Sequence, residues 1–233
     1  MFFDMTYVYL VLPAVLLAMF ASAKVNSTFR RYSKQMSASH LTGAEAARRV
    51  LMANGVSNVK IEMIGGNLTD HYDPRTNVIR LSESVYNSTS TAAIGVASHE
   101  AGHAVQYAED YAPIKWRSAI IPITNIGSSL AMPLIILGLI LGAMSDFFIY
   151  VAYAGIICFA MSTVFQLVTL PVEFNASARA MRAIEGTGLL RGEEVKGARK
   201  VLTAAAMTYV AALAVSLAQL LRFLLLVNRN RDN

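Results

Sequence analysis

Between Arg117 and Glu173 the chain carries a single charged residue, Asp146. That stretch holds two uncharged runs, 120–144 and 147–171, parted only by Ser145 and Asp146, and each exceeds the roughly 20 residues a helix needs to cross a bilayer. In hydrocarbon every backbone N–H and C=O must find its partner inside the protein, so runs of this kind are helices or barrel strands. Their length selects helices, joined as a hairpin by a very tight turn. Two further apolar runs flank the pair, at 7–23 and 204–227. The first follows only Asp4 and has no basic segment before it, which predicts a retained anchor rather than a cleaved signal peptide. The last contains Gln219 and Arg222, and it is expected to span with Arg222 snorkelling near its end. Composition agrees with a membrane protein: 55% of residues are hydrophobic and 15% charged, against about a quarter charged in soluble domains.

The distribution of basic residues sets an orientation. Of the 20 Lys and Arg residues, eleven fall between Lys24 and Arg117, six between Arg179 and Lys200, and none in the turn at 145–147. Lys and Arg accumulate on the cytoplasmic side of short loops. Both polar segments are therefore expected to face the cytoplasm, with the N-terminus outside. Arg229 and Arg231 fall outside if the fourth run spans, against that rule. The net charge of +5 needs no nucleic acid, because Arg30, Arg31 and Lys34 are the ordinary juxtamembrane neighbours of anionic lipid. The lone cysteine, Cys158, lies in an apolar run, so no disulfide can form within the chain.

One polar motif stands out. His99, Glu100, Ala101, Gly102 and His103 read HEAGH, an HExxH pattern within a predicted helix over 90–106. Positions i and i+4 share a helix face, so both imidazoles can bind one Zn²⁺ at roughly 2.0–2.1 Å. Glu100 then lies beside the open coordination position, where it can act as general base on a zinc-activated water. The flanking residues, TAAIGVA before and Ala101, Gly102, Ala104 and Val105 within, are small and apolar. A buried glutamate and two buried histidines need partners, and a metal supplies one.

A catalytic zinc site takes a third protein ligand. Glu173, at the end of the third apolar run, competes with Glu109, six residues after His103, and with Asp110. Glu173 is favoured, since an ionisable group beside a membrane segment signals function and the hairpin returns it to the face from which the HEAGH helix departs. Elsewhere, LTGAEAARRVLMAN (41–54) predicts a helix opened by a Thr42/Glu45 capping box. VKIEMI (59–64) and VIRL (78–81) predict strands of a short sheet beside the HEAGH helix. The segment 71–81 is a candidate edge strand for an extended substrate, with a plain hairpin as the alternative.

The blocks LTDHYDPRTNVIRLS, AAIGVASHEAGHAVQ and PVEFNASARA, set among four apolar runs, resemble the YugP-type neutral zinc metallopeptidases, a bacterial membrane family. The resemblance covers nearly the whole chain and extends, more distantly, to membrane gluzincins of the HtpX type. It implies His99, His103 and Glu173 as ligands of one Zn²⁺ per chain and Glu100 as catalytic base. In those gluzincins an aspartate four residues after the ligand glutamate orients a ligand histidine; here that position is Ser177, with Asn175 two after the glutamate. No histidine follows His103, so Arg179 or Arg182 becomes the candidate for oxyanion stabilisation, and His71 is a further candidate for the cleft.

The expected fold is thus an α+β membrane protein, mostly helical, with about four transmembrane helices and a small cytoplasmic zincin-like domain holding a short sheet. The expected division is an N-terminal transmembrane helix (1–23), the zincin-like domain (24–118), a transmembrane hairpin (119–171), a cytoplasmic helical segment with the third ligand (172–203) and a C-terminal transmembrane helix and tail (204–233). The expected function is a membrane-integrated zinc endopeptidase in the bacterial cytoplasmic membrane. Its expected partners are membrane lipid and a membrane-associated protein or peptide substrate, with a regulatory membrane protein as a further candidate. A non-catalytic zinc-binding adaptor or scaffold is the alternative, disfavoured because closed structural sites usually take four ligands, often cysteines. A transporter is weaker still, since paired charges inside the runs are lacking.

Overall fold

A computed structural model describes the backbone of residues 5–142 and 144–231, and the side chains of all of these except 230 and 231. Asp4 and the side chain of Arg231 therefore lie outside the described residues. The chain is mostly helical. A π-helical turn, Tyr7–Val11, leads into α1 (Leu12–Tyr32); then come α2 (Gly43–Ala53), β1 (Lys60–Ile64), β2 (His71–Asp73), β3 (Val78–Ser82), α3 (Glu83–Tyr86), α4 (Thr91–Ala108), α5 (Ala112–Leu141), α6 (Asp146–Gly186) and α7 (Glu193–Arg231). Four helical segments among the described residues, Tyr7–Tyr32, Ala112–Leu141, Asp146–Gly186 and Glu193–Arg229, are long and apolar enough to cross a membrane.

The chain divides into two compact units. The first takes residues 5–20, 116–170 and 208–231. It is built almost wholly by close packing of apolar helices: Ile135, Ile149, Ala152, Ile156, Phe223 and Val227 form its buried cluster, with the Phe159 and Phe223 rings 5.2 Å apart. Small residues let α5 and α6 touch. A Cβ on Gly138 would lie 2.5 Å from the Ala152 nitrogen, and one on Gly155 would lie 2.8 Å from the Ala131 carbonyl oxygen. Gly138 is thus used inside the hairpin, as small residues are in membrane helix pairs. The fourth apolar run, expected to span despite Gln219 and Arg222, lies within one continuous helix, α7. The Arg222 guanidinium lies 5.3 Å from the Tyr7 ring centre and 5.7 Å from that of Phe223, so the aromatic faces accommodate its charge.

The second unit takes residues 21–115 and 171–207. Val50, Leu51, Ile79, Leu81, Val85, Ile94, Val105, Ile184 and Leu189 are among its buried core. The capping box predicted for α2 is present, with the Thr42 N–H donating to Glu45 Oε2 at 2.8 Å and the Glu45 N–H to Thr42 Oγ1 at 3.3 Å. The sheet has the order β1-β3-β2, β1 parallel and β2 antiparallel to β3. This corrects one expectation: β3, hydrogen-bonded on both sides, offers no edge, so only His71–Asp73 of the 71–81 segment does. The turn between β2 and β3 is tied by Asp73. The Thr76 hydroxyl, the Arg75 N–H and the Arg80 guanidinium all donate to its carboxylate and hold its pKa down at about 2.

A second difference concerns Glu173. The sequence predicts a new helix beginning near it, whereas α6 continues unbroken from Asp146 through Pro171 to Gly186. Proline inside a helix withholds one N–H from the carbonyl four residues back. Apolar spans tolerate this where neighbouring groups take up the freed carbonyl.

Candidate metal centre

α4 begins at an N-cap, Ser90, whose Oγ accepts from the Ala93 N–H at 3.2 Å. From there small residues dominate, and the helix is buried for most of its length. One small residue decides what it packs against. A Cβ on Gly102 would stand 2.7 Å from the carbonyl oxygen of Ala176, so only glycine lets α4 lie this close to α6. The contact falls between His99 and His103 on one helix and between Glu173 and Ser177 on the other. Three ligand-bearing side chains are brought face to face as a result.

Glu173 Oε2 lies 3.3 Å from His99 Nε2 and 3.6 Å from His103 Nε2. One ligand atom from each of the three residues can be chosen so that all lie within 4.8 Å of one another. Glu109 and Asp110, the rival third ligands, point elsewhere: Glu109 pairs with Arg179 at 2.6 Å and Asp110 with Lys115 at 2.6 Å. The side chain of Glu100, a residue 8% exposed, makes no hydrogen bond among the described residues. Its charge bears on His103. Burial pushes that histidine's pKa down, but the neighbouring carboxylates of Glu173 and Glu100 outweigh it and raise the value.

Each histidine is held from behind. Ser177 Oγ lies 3.1 Å from His99 Nδ1, at the position where the gluzincin pattern has aspartate. His103 Nδ1 lies 3.0 Å from Gln106 Oε1. Gln106 Nε2 donates to Asn175 Oδ1 at 2.9 Å, and that oxygen also accepts from Arg179 Nε at 2.7 Å. Thus Ser177, Asn175 and Arg179 join the site through hydrogen bonds, whereas Arg182 is exposed on α6. His71 is exposed on β2 with its Nδ1 2.8 Å from the Thr69 carbonyl, apart from the cluster. Sequence reasoning missed Gln106, although its place three residues after His103 on one helix face was available as a signal.

Residues 7–228 match the family described as "Putative neutral zinc metallopeptidase". The chain belongs to this family. It is 47% identical over 228 residues to "Putative membrane protease YugP" of Bacillus subtilis (strain 168), an alignment covering 98% of this chain and 99% of that protein. No solved structure matches the chain. The family name implies zinc, and the cluster of this metallopeptidase family member fits that metal. Glu173 Oε2 is buried and without a hydrogen-bond partner, although two ring nitrogens face it. An orphaned carboxylate oxygen is costly inside a protein; with two imidazoles it makes the donor set of a three-ligand zinc site.

Proposed function

We propose that this chain is a membrane-integrated zinc endopeptidase of the gluzincin type, with His99, His103 and Glu173 holding one Zn²⁺ per chain and Glu100 as general base. The observation that carries the proposal is the convergence of His99 Nε2, His103 Nε2 and the unpartnered Glu173 Oε2. Zinc bound there supplies Lewis-acid chemistry, acidifying a water and polarising a peptide carbonyl. The remaining work belongs to the chain. Glu100, with no hydrogen bond of its own to break, takes the proton of the attacking water and passes it to the leaving amine. Ser177 and Gln106 hold the two imidazoles in place from their Nδ1 sides.

The substrate is a protein or peptide presented at the membrane. β2 supports that reading, because one of its edges is unpaired in the sheet and its Tyr72 ring lies 5.5 Å from Tyr107 on α4; an extended peptide can add along such an edge. The domain reading keeps 24–118 as the zincin-like domain and 172–203 as the segment that completes its ligand set. The eleven and six basic residues of the two polar segments support an orientation with both at the cytoplasmic face of a multi-pass protein in a bacterial cytoplasmic membrane.

The test uses the full chain in detergent, loaded with zinc, and a labelled unfolded protein as substrate. Cleavage should stop with a chelator. Glu100→Gln should lower cleavage by about 10²–10⁴-fold, the usual range for a general base, with zinc content unchanged. Full activity in Glu100→Gln would sink the mechanism. Zinc without any cleavage by the wild type would favour the adaptor reading instead.

A further inference from the structure

A run of hydrogen bonds joins α6 to α4 behind His103, and its chemistry is one-way from end to end. Arginine only donates. Its Nε is 2.7 Å from Asn175, so the Asn175 atom turned toward it is the oxygen. Arg179 is itself fixed, by the pair with Glu109 at 2.6 Å and by the Tyr111 ring, whose centre lies 5.8 Å from the guanidinium carbon. The same Asn175 oxygen faces Gln106 at 2.9 Å, and the carbonyl of Val172 faces the same Gln106 atom at 2.8 Å. Both are acceptors. The Gln106 atom between them is therefore its nitrogen, and its oxygen is left to face His103 Nδ1 at 3.0 Å. An amide oxygen cannot donate, so Nδ1 carries the hydrogen. A neutral imidazole has only one N–H, and Nε2 is left as a bare lone pair turned toward Glu173. The orientation of both amides follows from the fixed ends.

We infer that Gln106, Asn175 and Arg179 are positioning residues that lock His103 in its Nδ1–H tautomer and aim Nε2 at the metal. The inference rests on the zinc reading above, and it takes Arg179 out of contention as the oxyanion group. His99 shows the contrast. Its outer partner, Ser177 Oγ, can donate or accept, so no direction is imposed on that ring.

Asn175 supplies the test, because both of its bonds in this run use Oδ1 alone. Asn175→Asp keeps an acceptor there; Asn175→Leu keeps the branched outline of the side chain and removes it. Zinc affinity is read by competition with a chromophoric chelator, and ligand geometry by the visible spectrum of the Co²⁺-loaded full chain. Asn175→Leu and Arg179→Met should bind zinc about 10–100-fold more weakly, the usual cost of losing a partner behind a metal ligand, and should alter the cobalt spectrum. Asn175→Asp should stay near wild type in both. Arg179 lies nearer the surface than the buried Gln106, so Arg179→Met carries the test even if Asn175→Leu does not fold. Equal affinity for Leu and wild type at 175, or equal loss for Leu and Asp, would overturn the inference. So would an Arg179→Met variant with normal zinc affinity and cobalt spectrum but a lowered kcat, the behaviour of an oxyanion group. Absence of zinc from the wild type would instead count against the proposed function itself.

Discussion

Gly102 and Gly138 do the same thing in the two units of the molecule, and the consequences differ. Each lets one helix lie on the backbone of another: a Cβ would come within 2.7 Å of the Ala176 carbonyl oxygen at Gly102, and within 2.5 Å of the Ala152 nitrogen at Gly138. Around Gly138 the nearest atoms belong to Ala152 and the Phe148 backbone, in a unit whose buried cluster is apolar, Ile135, Ile149 and Ile156 included. Around Gly102 the neighbours are His99, His103, Glu173 and Ser177. A shift of a few tenths of an ångström costs the first region some dispersion energy, which falls off gradually. The same shift in the second spoils hydrogen bonds and a ligand set whose distances must hold closely. Close packing in one unit supplies stability, and in the other it supplies geometry.

The sharpest way to break this comparison is Gly102→Ala. The added methyl meets the rigid backbone of Ala176, so α4 must move away from α6. Zinc affinity should fall by at least the 10–100-fold expected when a ligand's support is lost, measured by chelator competition. Wild-type affinity would show that the approach of the two helices does not set the site.

That contact also marks the limit of what the sequence discloses. The apolar runs, the HEAGH helix and the Thr42/Glu45 box were legible because each is a local pattern: length without charge, spacing on one face, an oxygen at the right offset. Glu173 was legible as a candidate for a different reason, an ionisable side chain at the end of an apolar run. What stayed hidden depends on residues far apart in the chain. Nothing near Pro171 announces that α6 continues through it. Nothing within the three residues of β2 announces that it borders β3 rather than β1, since that is a matter of pairing. The role of Gln106 appears only once Val172 and Asn175 are seen beside it.

Gly138→Ala is the matched experiment in the apolar unit. Overpacking of this kind costs about 1–3 kcal/mol, part of which the better helix propensity of alanine returns, roughly 1 kcal/mol. The expected result is a lowered thermal midpoint in detergent with zinc affinity unchanged. A parallel loss of zinc would show that the second unit depends on the packing of the first and would erase the distinction drawn between them.

The smallest effect should come from the polar pair inside the apolar unit. Thr163 Oγ1 and Ser216 Oγ lie 2.7 Å apart and buried, and they look like a counterpart to the hydrogen bonds behind His103. They differ in what depends on them. A hydroxyl on a helix has an alternative partner, the carbonyl one turn back in its own ladder, so losing the other hydroxyl does not leave it orphaned. Interhelical bonds of this kind in membrane proteins average about 0.6 kcal/mol. Gln106 has no such refuge, because its side chain is spread across three partners on two helices. Thr163→Val should therefore lower stability by only about 0.6 kcal/mol in a reversible unfolding measurement, and leave zinc affinity untouched. A loss several times larger would mean that the apolar unit, too, is held in register by a polar contact, and that packing alone does not define it.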